Sequence, residues 1–168
     1  NNTDGHSNTA LGSNAGDSIT TGDENTVVGH GALDGGTTVN GNTAVGTDTM
    51  GSASYAASNN TAVGYNALLV ATTGTGLTAI GNQALDANTT GINNTGVGSG
   101  AAGALTTGGG NTALGWTALN VATTANSCVA IGAQALNSLT TASYAVGVGH
   151  DAFTLSLIHI SEPTRHES

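Results

Sequence analysis

The chain has 168 residues and carries ten acidic groups against a single arginine and no lysine, a formal charge of −9 with histidines neutral. A surface so poor in cations excludes nucleic acid and anionic membrane as partners, since both demand a basic face, and no apolar run approaches the ~20 residues of a membrane span. Leu, Ile, Val and Phe supply only 31 residues, a share that with this net charge ordinarily marks a disordered chain.

The phase of the apolar residues argues for order instead. Gly12, Gly29, Gly46, Gly64, Gly81, Gly98, Gly115, Gly132 and Gly149 follow one another at intervals of 17 residues, with one interval of 18. One residue before each stands an aliphatic: Leu11, Val28, Val45, Val63, Ile80, Val97, Leu114, Ile131 and Val148. Nine tandem copies of so short a unit mean a solenoid, because no single unit can bury its own apolar side.

In chain order, residues 1–7 form a frayed start, 8–153 the repeat domain and 154–168 a tail outside the pattern. The repeat is in phase by Asn8 without an initiator methionine or signal peptide, so the chain reads as a piece of a longer protein. Units begin at Asn8, Asn25, Asn42, Asn60, Leu77, Asn94, Asn111, Cys128 and Ala145; that residue is position 1. Positions 1–5, as in Asn42-Thr43-Ala44-Val45-Gly46, predict a short strand. Alternation then sends positions 2 and 4 to one side and 3 and 5 to the other. With a branched aliphatic always at position 4, that side is read as the interior. The Ala and Gly of positions 3 and 5 would form a flat outer face that another backbone can approach, or the glycines relieve a bend. A second strand is expected over positions 6–9, ending on Leu33, Met50, Leu68, Leu85, Leu119, Leu136 or Phe153. The rest of the unit, with its Thr-Thr pairs, is turn chemistry. Gly, Thr and Asn recur too often for helices. The fold class is therefore all-β: a parallel β-roll or β-solenoid of nine coils stacked ~4.8 Å apart. The asparagines of position 1 would form an amide ladder broken at Leu77, Cys128 and Ala145. So lean an interior favours association of several chains.

The phrase Asn60-Thr61-Ala62-Val63-Gly64-Tyr65-Asn66-Ala67-Leu68, with Asn25 to Leu33, Asn111 to Leu119 and Cys128 to Leu136, resembles the head repeats of trimeric autotransporter adhesins. It is similar also to repeats of phage tail fibres. The resemblance spans Asn8 to Phe153. It implies a left-handed roll, a homotrimeric rod, and display outside the cell, on a bacterial surface through an outer-membrane anchor elsewhere in the protein or on a virion tail. Family heads often have shorter units, so the 17-residue period implies a longer outer turn. The tail, Ser156 to Arg165, resembles a translated sequencing adapter. A capping segment is the other reading of that tail.

No catalytic, cofactor or metal site emerges. His30 and His150 share position 6 but lie seven coils apart, ~34 Å on ladder spacing, too far for one metal. His6 is in the start, and His159 and His166 in the tail. The acidic residues are scattered, Cys128 has no disulfide partner in the chain, and Gly108-Gly109-Gly110 is a turn with no helix to follow it. The candidate ligand-facing residues are Tyr65, Trp116, His30 and His150 of position 6, together with Tyr55 in the connection from Met50 to Asn60 that holds the extra residue, read as a bulged outer loop. Exposed aromatics there could stack on glycans or anchor a host-surface protein. The function expected is a structural and adhesive rod acting by multivalent contact, not an enzyme. Receptor recognition by a tail fibre or glycan-cleaving tail spike is the alternative. Ice binding by the threonines of position 2 is a third reading, which fails if they face inward as alternation predicts.

Overall fold

The structure is a computed structural model that describes residues 4–52, 54–141 and 143–153; the tail, with its adapter-like segment, lies outside the described residues. Nine three-residue strands follow in order: β1 (Thr9–Leu11), β2 (Thr26–Val28), β3 (Thr43–Val45), β4 (Thr61–Val63), β5 (Thr78–Ile80), β6 (Thr95–Val97), β7 (Thr112–Leu114), β8 (Val129–Ile131) and β9 (Val146–Val148). They form one parallel sheet in sequence order. Register is set by the repeat: Thr43 pairs with Thr61, Ala44 with Ala62, Val45 with Val63. The protein is a parallel β-solenoid without helix among the described residues.

Among the described residues each coil holds one strand, not two. Positions 6–9 are turns, and the leucines of position 9 have positive φ, +55° at Leu68 and +53° at Leu119. The reason is geometric. A strand would turn consecutive side chains to opposite faces, whereas both Ala67 and Leu68, like Ala118 and Leu119, are buried. A left-handed residue brings two neighbours to the same side at ~1–2 kcal/mol, which burying a leucine, ~2 kcal/mol, offsets. These turns still stack: the Leu68 N–H donates to the Ala84 carbonyl at 3.0 Å and that of Leu85 to Ala101 at 3.0 Å.

The interior is the reverse of the expected one. Position 3 faces inward, with Val27, Ala44, Ala62, Ala79, Ala113 and Ala130 fully buried, while position 4 faces out. The cause is width. A Cβ added at Gly96, a position 3 residue, would stand 3.1 Å from Cγ of Leu85, and one at Gly147 would stand 2.6 Å from Cδ2 of Leu136. The leucines of position 9 fill the space across from the strand and leave room for little more than a methyl group, whereas Val27 fits beside Gly16, the glycine at position 9 of the first coil. Position 5 requires glycine twice over: Gly115 has φ +136°, and a Cβ there would lie 2.5 Å from the carbonyl oxygen of Gly132. Its close approach is to the next coil of the same chain, so among the described residues positions 3 and 5 form no small-residue outer face.

The amide ladder is present. Asn25 donates from Nδ2 to Oδ1 of Asn8 at 3.0 Å and to the Val39 carbonyl at 2.8 Å, while its Oδ1 accepts the Asn42 N–H at 3.0 Å. Asn111 repeats this toward Asn94, Ala125 and Cys128. Each asparagine thus satisfies turn backbone that would otherwise be buried unpaired. Leu77 lacks the amide, as do Cys128 and Ala145. Beside Leu77, in the next inward column, Asn88 is buried with neither side-chain amide atom hydrogen-bonded.

Candidate binding face

Because position 3 points inward, positions 2 and 4 form the outer face of the sheet. Position 2 presents Thr9, Thr26, Thr43, Thr61, Thr78, Thr95 and Thr112, then Val129 and Val146; position 4 presents an aliphatic in every coil. Leu114 is 45% exposed and its neighbours are comparably open or half-buried. None of these residues is charged, in a chain of net charge −9. The face extends ~38 Å over eight strand spacings. An uncharged strip of threonine and aliphatic side chains open to solvent is a candidate interaction surface. Hydrophobic rank alone hides it from a sequence reading, which assigns valine inside and alanine outside; the signal for it is the small residue that recurs at position 3.

Position 6 borders this face, just past the glycine. Tyr65 is 53% exposed and Trp116 56%, and His30 and His150 are exposed as well. These four candidates therefore reach solvent, in one column but in separate coils. His30 lies 3.8 Å from Oδ1 of Asp48 in the next coil, and His150 lies 2.9 Å from Oδ2 of Asp151. Both pairs are open to water, which limits each to well under ~1 kcal/mol. His6 has a similar neighbour in Asp23.

Tyr55 does not belong to this group. It is 2% exposed, and the reading of it as a ligand-facing loop residue is corrected. The Ala56 N–H bonds to the Thr72 carbonyl as the N–H groups of both Thr72 and Thr73 do to Thr89, and the Ala57 carbonyl accepts from Asn42 as that of Gly74 does from Asn60, so Ala56 alone stands where other coils place the threonine pair. The Tyr55 N–H bonds to the Ser52 carbonyl as the Asn88 N–H does to Leu85, so Tyr55 falls in the inward column of Ala71, Asn88 and Leu105; compared with a regular coil, two residues more separate it from Met50 and one fewer separates it from Asn60. Its hydroxyl takes part in the amide ladder. The threonines of position 2 are likewise outward rather than inward. Among the described residues no group of three or more His, Cys, Asp or Glu could hold a metal ion, and no helix is long and apolar enough to cross a membrane. Comparison with protein-family models, curated proteins and solved structures finds no match to this chain.

Proposed function

We propose that this chain is a segment of an adhesive surface rod, in which copies associate side by side through the threonine and aliphatic face and hold the position 6 groups out along their length. The observation that carries this reading is the uncharged, exposed sheet face running unbroken through nine coils, with a chemically varied column beside it. The face supplies what a lean solenoid needs from a neighbour, and the column supplies repeated contact points whose weak affinities multiply. Contact rather than chemistry is the mechanism. The resemblance to autotransporter heads and tail fibres supports three copies and a site of action outside the cell, on a bacterial surface or a virion tail. Sedimentation of the chain tests it: a species of three times the 16.1 kDa chain mass is expected, and a stable monomer would overturn the association.

One observation favours a second reading. Seven threonines stand outward in strand register, a flat array able to order water against an ice surface. Thermal hysteresis with faceted crystal growth would select it, and unshaped crystals would remove it.

A further inference from the structure

Building on the adhesive reading, we propose that position 6 between Tyr65 and Trp116 binds a neutral, unbranched polysaccharide lying along the rod. The column reads Tyr65, Asn82, Ser99, Trp116, and all four are exposed or half-buried. Its rungs are fixed by backbone. The Tyr65 carbonyl accepts the Gln83 N–H at 2.9 Å, that of Asn82 accepts Gly100 at 2.9 Å, and that of Ser99 accepts Thr117 at 2.9 Å. Each rung is ~4.8 Å, so the two aromatic rings stand ~14 Å apart. That rung is close to the advance of one sugar ring in an extended β-linked chain.

The side chains match such a ligand in kind as well as in spacing. A pyranose offers an apolar face to an aromatic ring and hydroxyls around its edge. Rings n and n+3 of the saccharide would stack on Tyr65 and Trp116. The two between them would meet the Asn82 amide and the Ser99 hydroxyl, which both donate and accept. Asn66 and Gln83 at position 7 add further groups of the same type.

Charge decides for a neutral chain. Positions 6 and 7 hold no acidic residue or histidine from Tyr65 to Thr117, and those of these columns, His30, Asp48, His150 and Asp151, all lie beyond its ends. An acidic protein repels polyanions. A protein partner would call for a clustered, central hot spot, whereas here the aromatics are separated by three rungs.

The test titrates the full chain with cellohexaose, xylohexaose and N-acetyl-chitohexaose, reading the emission of Trp116, the single tryptophan, and the heat of binding. At least one hexasaccharide is expected to bind at millimolar dissociation constant or tighter, and its disaccharide about tenfold more weakly. By calorimetry, Trp116→Ala or Tyr65→Ala, each folded by circular dichroism, weakens binding about tenfold, and Trp116→Phe about threefold or less. Absence of binding by all three, equal binding by the alanine variants, or binding of oligogalacturonate alone would overturn the assignment. An oligomeric chain that ignores these sugars leaves the rod standing without this ligand; a monomer that binds them keeps the ligand and loses the rod.

Discussion

The hydroxyl of Tyr55 stands between Asn42 and Asn60, accepting from Nδ2 of Asn60 at 2.8 Å and donating to Oδ1 of Asn42 at 3.2 Å. In regular coils one asparagine donates directly to the one before it, as Asn25 does to Asn8. Where the coil is one residue longer, the phenol completes that link. Tyr55→Phe should lower stability by about 1–2 kcal/mol, the loss expected for hydrogen bonds removed from a buried network, read as a shift of the urea midpoint. Tyr55→Ala, which also empties the space, should cost about 3–5 kcal/mol.

The same residue sets a limit in alkali. Burial raises the Tyr55 phenol above its ordinary value near 10, although the bond to Asn60 works the other way. Above pH ~10 the unfolded chain gives up this proton while the folded chain keeps it. The native state then binds more protons, and stability falls as pH rises. The unfolding midpoint of the native chain should drop beyond pH ~10 more steeply than that of Tyr55→Phe, and parallel curves would show that Tyr55 is not responsible.

Two buried asparagines should behave oppositely. Asn111→Ala removes bonds to Asn94, Ala125 and Cys128 and should cost about 3 kcal/mol, because backbone groups are left dry and unpaired. Asn88→Ala removes an amide that has no partner, so stability should stay level or rise by up to about 1 kcal/mol. Thermal unfolding of the two variants side by side reads the difference.

Glycine substitutions separate conformation from crowding. Gly149 has φ +127° and a Cβ added there would meet nothing within 4 Å, whereas at Gly115 it would lie 2.5 Å from the Gly132 carbonyl oxygen. Gly149→Ala should carry only the torsional cost, about 1–3 kcal/mol. Gly115→Ala should lose more and split the stack at β7 and β8, visible as early amide exchange on either side of it.

Val97 is half-exposed on the outer face. In an isolated chain Val97→Asp should change stability by less than about 0.5 kcal/mol. Within an assembly joined by that face, it places like charges together away from water and should shift sedimentation toward monomer. Unchanged sedimentation of the variant oligomer would place the contact elsewhere.

The period of this fold is legible in the sequence, because vertical stacking demands like residues at each level: Asn25 over Asn42 and Gly98 over Gly115. Which way the strand faces is not. Its three residues are mostly small or apolar, and hydrophobic rank favours valine inside; the deciding fact is how far Leu85 reaches toward Gly96 from the opposite wall, a distance no strand pattern encodes. The expected second strand fails for a related reason, since Ala67 and Leu68 both point inward and only a left-handed residue allows that. Tyr55 is misplaced by spacing because its coil gains two residues before it and loses one after it, and the net length of the unit shows only the difference. Tyr65, Trp116, His30 and His150 are legible as exposed because a column that admits both alanine and tryptophan has no interior shape to satisfy.

Each strand meets only the strand one turn before and one turn after it. No residue therefore depends on how many turns the whole molecule has. A copying slip that duplicates or deletes one unit of the gene would yield a longer or shorter protein with every surviving neighbour relation intact, so reach is a quantity such a lineage can adjust in steps without inventing a new fold.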